Sequence, residues 1–170
     1  LYLPDHEDWG YAIELTDVPA GWPVATGLPQ SNGRWHARDV QHVMDSPILA
    51  ADALTHLQYE SNGIPFHIWV YGQDQPNPDS FLADHVAFTD SQIAHFGSFP
   101  AEHYHFMYVL PEREVRHGVE HEDTTVIAIG PSAKSQTQSG YDALTGIASH
   151  ELSHAWNFNR IPPAECTSYV

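Results

Sequence analysis

The sequence predicts an α+β chain, a β-sheet module followed by a unit that mixes strands with helices. Three observations predict it. Residues 66–71, 103–110 and 124–129 are strand-length runs of β-branched, aromatic and other apolar side chains. Residues 81–96 and 139–155 repeat their apolar residues at helical spacing. Stretches rich in glycine, proline and small polar residues punctuate these segments.

Taken in order, Tyr11, Ala12, Ile13, Glu14 and Leu15 alternate as a half-buried strand does, and so do Trp35, His36 and Ala37. The Gly/Pro-rich residues 19–33 form the loop between them. Residues 66–71 are a more apolar strand. Residues 73–79 carry Pro76 and Pro78 and read as a linker, which puts the boundary between a first unit, 1–73, and a second, 74–170. Helix 81–96 follows, with Asp79 as its cap and Leu82, Val86, Ile93 and Phe96 on its inner face. Strands 103–110 and 124–129 are expected to share a sheet. In the last helix Ser139 or Asp142 is the cap, Leu144, Ala148, Leu152 and Ala155 make a buried stripe, and Pro162 and Pro163 end the run. Strands followed by helices in one unit fit the α+β class. No internal repeat or low-complexity run interrupts it.

The last helix carries the most informative residues of the chain. His150 and His154 lie four apart, one helical turn, so both imidazoles can grip a single metal ion. Glu151 then lies beside a water on that ion. Two histidine ligands plus a carboxylate that is not a ligand but takes the water's proton is the pattern of zinc hydrolases. The competing reading is a core helix whose histidines only satisfy hydrogen bonds. With zinc in place, the pKa of a bound water falls from 15.7 toward about 7, and Glu151 can relay its proton to a departing amine.

After His154 come Trp156, Asn157, Arg160, Ile161 and Pro163. With them the helix resembles the glycyl-aminopeptidase family of gluzincin metallopeptidases, whose members often carry a PDZ domain. Asp45, Ser46, Pro47, Ile48, Leu49 and Ala50 are similar to that family's hand-over from an amino-terminal β domain to the catalytic domain. Gly118, Val119, Glu120 and His121, followed by Thr124, Thr125 and Val126, resemble its edge-strand motif. The resemblance implies a thermolysin-like catalytic subdomain, with residues 1–73 the end of an amino-terminal β domain and residues 74–170 the first part of a zinc peptidase domain. It also implies Glu120 as the group that pairs with the substrate's free ammonium, a role a carboxylate suits because it favours a cationic amine over an internal peptide bond. The adjacent strand edge can hold substrate backbone.

The same resemblance matches Glu165 to the third zinc ligand, beside Cys166, Thr167, Ser168 and Tyr169. The spacing departs from the family, which inserts a far longer stretch between the second histidine and this glutamate. Either an excursion has been removed from this chain, expected to be an excised piece, or the ligand lies beyond Val170. A metzincin site is excluded: its third histidine falls where Arg160 stands, and a permanently protonated guanidinium does not bind zinc. Tyr141, Tyr169 and His121 are the candidates for stabilising an oxyanion, and Asn157 for orienting a ligand. His103 and His105 share a strand face, where packing is favoured over metal binding for want of a third ligand.

Composition narrows the partners. Twenty-two acidic residues against six basic ones give a net charge of −16, which makes nucleic acid a poor partner and suits neutral or cationic peptides better than anionic ones, although solubility alone is the commoner reason for such acidity. The single cysteine, Cys166, cannot form an internal disulfide, so the compartment stays open. No run approaches the 18 apolar residues of a membrane span. This chain carries no signal peptide, which proves nothing about a leader, so the localisation, cytoplasm or cell envelope, and the oligomeric state stay unassigned. Three functions stand: a zinc aminopeptidase acting on peptides with small first residues such as Gly or Ala, a thermolysin-like zinc endopeptidase, and an inactive fragment with an incomplete zinc site.

Overall fold

The computed structural model describes residue 6 and residues 8–160, with side chains as far as Trp156. Glu165, Cys166, Tyr169, the stop at Pro162 and Pro163, and the side chains of Asn157 and Arg160 lie outside the described residues. The chain runs β1 (Tyr11–Ile13), β2 (Val24–Ala25), β3 (Gln30–Ser31), β4 (Arg34–Ala37), α1 (Val40–Met44), β5 (Leu49–Ala50), β6 (Thr55–Ser61), β7 (Ile64–Gly72), α2 (Pro78–Phe96), β8 (Tyr104–Leu110), β9 (Val115–Glu120), β10 (Thr124–Gly130) and α3 (Gln138–Arg160). A short 3-10 turn, Ser132–Gln136, precedes α3. Mixed sheets and helices make this an α+β fold, as the sequence predicts.

The main sheet has the order β6-β7-β8-β10-β9. The pairs β7/β8 and β8/β10 are parallel, while β6/β7 and β9/β10 are antiparallel. β9 is therefore an edge strand. Parallel β7 and β8 need a crossover, and α2 provides it. Two hairpins owe their turns to Asn-Gly pairs: Asn32 and Gly33 join β3 to β4, and Asn62 and Gly63 join β6 to β7, all four at positive φ.

Both faces of the sheet are covered. On one, Phe66, Ile68, Phe106, Tyr108 and Ile127 pack with Phe81 and Ile93 of α2 and Leu144, Ala148, Leu152 and Trp156 of α3. On the other, Met107, Trp69 and Val126 meet Ala25, Leu49, Ala51 and Leu54 of the amino-terminal segment. Strand β8, central in the sheet, is buried at six of its seven residues. Among the described residues no helix is long and apolar enough to cross a membrane.

Several local expectations need correction. The cap of α2 is Asn77, whose side chain accepts from the Asp79 and Ser80 amides, and Pro78 takes the first helical position, where its missing N–H costs nothing. The buried stripe of α2 is Phe81, His85, Thr89 and Ile93, whereas Phe96 is 45 % exposed. Two polar residues enter that stripe because each finds an internal partner: His85 bonds the Tyr108 hydroxyl, and Thr89 the Tyr59 hydroxyl. For α3 the capping oxygen is Thr137 Oγ1, which accepts from the Gly140 amide at 3.2 Å, rather than Ser139 or Asp142. Strand β7 pairs with β8 along seven residues, from Phe66 opposite Tyr104 to Gly72 opposite Leu110.

Candidate metal centre

Helix α3 carries the site because one of its faces is apolar and the adjoining face is not. Leu144, Ala148, Leu152 and Ala155 are buried against the sheet, each at most 3 % exposed. Trp156 fixes the end of the described stretch by donating its indole N–H to the Ser98 carbonyl at 3.2 Å and packing on Phe96 and Phe99. Gln92 of α2 donates to the Ser149 carbonyl at 2.7 Å, one residue before the first histidine. The rotation of α3 about its axis is thus set on both sides of the histidine pair.

On that helix His150 Nε2 and His154 Nε2 stand 3.2 Å apart, with the rings at 83°. Two imidazoles bound to one zinc at 2.0–2.1 Å in tetrahedral geometry place their nitrogens about 3.3 Å apart. The pair therefore fits a single ion with little rearrangement. Glu151 points from the same turn toward the sheet and is 6 % exposed. Its carboxylate lies over Gly118 of β9: a Cβ on that glycine would sit 2.7 Å from Glu151 Cδ and 3.0 Å from Cγ, closer still to Oε1. Any larger residue there would displace the carboxylate.

Glu120, two residues further along β9, comes to the same place. Glu120, Glu151 and His154 each offer a donor atom within 4.8 Å of the other two, the one such group of three among the described residues. Four of the five site residues read from the sequence, His150, Glu151, His154 and Glu120, are thus gathered where α3 crosses the edge strand. The fifth, Glu165, lies outside the described residues.

The oxyanion candidates divide differently. The Tyr141 hydroxyl donates to the Asp84 carboxylate at 2.6 Å, on the side of α3 that meets α2. His121 Nδ1 bonds Asp45 Oδ1 at 2.9 Å. A hydroxyl the sequence reading did not single out is that of Tyr104, fully buried in β8 and without a hydrogen-bond partner among the described residues. Burial first, then the charges of Glu151, Asp123 and Glu120, push this phenol well above its ordinary value. It is a neutral donor at all physiological pH. Its only sequence signal is a tyrosine at the start of an otherwise apolar strand.

His103 and His105 are accounted for without a metal. His103 Nε2 lies 3.1 Å from both Asp123 Oδ2 and the Gly27 carbonyl, and the Asp123 hydrogen bond raises its pKa. His105 Nδ1 accepts from the Trp69 indole at 3.1 Å, which fixes it as the neutral tautomer protonated at Nε2, and burial lowers its pKa to about 3.

Comparisons with known proteins bear on both ends of the chain. Residues 1–52 match the model of the peptidase M61 N-terminal domain. No curated protein matches the chain. Among solved structures, the fold is similar to an aminopeptidase N family protein from Idiomarina loihiensis, with a TM-score of 0.81 and 23 % identity over 92 % of this chain. It is also similar to an M1 zinc metallopeptidase from Deinococcus radiodurans, with a TM-score of 0.50 and 14 % identity over 84 % of this chain. The chain spans 29 % of the first protein's length and 33 % of the second's.

Proposed function

We propose that this chain carries the metal site and the amine-recognising edge of a zinc-dependent aminopeptidase. The observation that carries the reading is the pair of imidazole nitrogens 3.2 Å apart on α3, with Glu151 and Glu120 converging beside them. The M61 amino-terminal match and the likeness to an aminopeptidase N family fold support it. His150 and His154 would hold zinc, with Glu165 as the third ligand by family resemblance. The chemistry a zinc ion supplies is acidification of the attacking water toward a pKa of about 7 and polarisation of the scissile carbonyl.

The chain's own residues do the rest. Glu151, buried and with room only because residue 118 is glycine, accepts the water's proton and hands it to the leaving amine. Glu120 holds the substrate's terminal ammonium at the edge of the sheet. A carboxylate at that point discriminates against blocked and internal peptide bonds, since an amide offers it no positive charge. The preference for a small first residue, Gly or Ala, rests on family resemblance.

The test uses paired substrates: glycyl and alanyl peptides with free and with acetylated amino termini. Hydrolysis of the free-amine member, lost on acetylation, is expected. Equal turnover of both members would favour the thermolysin-like endopeptidase instead, and absence of stoichiometric zinc binding would favour an incomplete site. Glu151→Gln is expected to retain zinc while kcat falls by about 10²–10⁴-fold, the usual worth of a general base. Parental turnover in that variant would remove Glu151 from the mechanism.

A further inference from the structure

We propose that the amino-terminal β module is a working part of the amine site, with Asp45 as the positioning residue that holds Glu120 through the turn 121–123. The proposal deepens the aminopeptidase reading and rests on it. Glu120 is the last residue of β9 and Thr124 the first of β10, so 121–123 is the whole connection between them. Each of its three residues is gripped by a residue of the first 52, the stretch that matches the M61 amino-terminal domain.

Asp45 spends both carboxylate oxygens on this turn. Oδ1 pairs with His121 Nδ1 at 2.9 Å, and Oδ2 accepts the Glu122 backbone N–H at 2.8 Å. Arg38 forms an ion pair with the Glu122 carboxylate. Gly27 closes on the third residue: a Cβ there would fall 2.5 Å from Asp123 Oδ1 and 2.9 Å from its Cγ. Asp123 is held from the catalytic side as well, by His103 and by the Thr124 hydroxyl at 2.9 Å. The turn itself is closed by His121 N–H donating to the Thr124 carbonyl at 2.8 Å.

A two-stranded edge ending in a free turn would let its last side chain wander. β9 has a neighbour on one side only, with Glu120 opposite Thr125 as its last pair, so the sheet restrains the end that carries Glu120 from one side alone. The contacts from Gly27, Arg38 and Asp45 supply that restraint from outside the catalytic unit. Glu120 must meet an ammonium within hydrogen-bond reach while the scissile carbonyl sits at the metal, and displacement by about 1 Å costs on the order of 10²-fold in such arrangements. Of the three residues, Asp45 is the one that binds backbone of the turn, at the Glu122 N–H two residues beyond Glu120, as well as a side chain.

The experiment compares the parent chain with Asp45→Asn and Asp45→Ala, all zinc-loaded, using glycine hydroxamate and N-acetylglycine hydroxamate as probes. The parent is expected to bind the free-amine probe about tenfold or more tighter than the acetylated one, as a charged hydrogen bond implies. In the Asp45 variants that ratio is expected to fall to about threefold or less, with zinc affinity unchanged, while hydrogen exchange at the Glu122 amide accelerates at least about tenfold and exchange in α3 does not. A lowered melting temperature with the ratio intact would show mere packing between modules and overturn the proposal, as would unchanged exchange at Glu122. A ratio already flat in the parent would overturn the amine role of Glu120 before any substitution, which separates failure of the underlying reading from failure of the positioning role.

Discussion

His85 has both ring nitrogens committed inside the core. Its Nδ1 faces the Phe81 carbonyl at 2.7 Å and must carry the proton, so Nε2 accepts from the Tyr108 hydroxyl at 2.7 Å. Burial lowers its pKa from 6.5 to about 4. The unfolded chain therefore takes up a proton as pH falls below about 6.5, while the folded chain resists until about 4. Stability contributed by neutral His85 is full above the first value and is lost progressively between the two, on the order of 3 kcal/mol in all. Denaturant unfolding of the metal-free protein at pH 7, 5 and 4 should show the parent losing more stability than His85→Gln over that window; parallel losses would contradict the assignment. No sequence pattern marks His85 as a core residue. Nothing in composition says that a histidine on a helix will find a tyrosine on the central strand, because that partner is 23 residues away.

At the scale of elements, the site is a crossing of α3 over the edge strand β9, and Gly118 sets how closely they approach. Gly118→Ala is expected to push the Glu151 carboxylate off its position. Zinc stoichiometry should be kept, because the atoms nearest an added Cβ all belong to Glu151 rather than to either histidine, and kcat should fall by about 10- to 100-fold. An unchanged kcat would mean that Glu151 works from elsewhere. The helix itself was legible: four apolar residues at four- and three-residue spacing face the core as the sequence predicts, and the histidine pair shares a face by helical geometry alone. Less was legible where polar groups are buried. The first half of the α2 stripe was misplaced by one residue, Leu82 and Val86 for Phe81 and His85, because His85 and Thr89 count as polar until their partners are known. Strand β6 went unread although Asn62 and Gly63, a strong hairpin signal, join it to β7. Caps shifted to Asn77 and Thr137, since several polar residues compete near each helix start and only geometry selects one.

For the molecule as a whole, one sheet organises everything: α2 and α3 cover one face, the amino-terminal segment covers part of the other, and the site opens at the edge where the two coverings meet. The proline-containing stretch 73–79 leads from β7 into the crossover helix α2. Prolines mark where regular structure stops, as it does at the start of this crossover between parallel strands. The arrangement around one sheet explains why Asp45 and Arg38, far in sequence from the histidines, reach the turn beside Glu120. All of the function rests on His150 and His154 sharing one ion. The most direct measurement is X-ray absorption at the zinc edge on stoichiometrically loaded protein, beside His150→Ala and His154→Ala. The account predicts two imidazole nitrogens at about 2.0–2.1 Å in the parent and one fewer in each variant. A spectrum with no imidazole, or one that neither substitution alters, would contradict it.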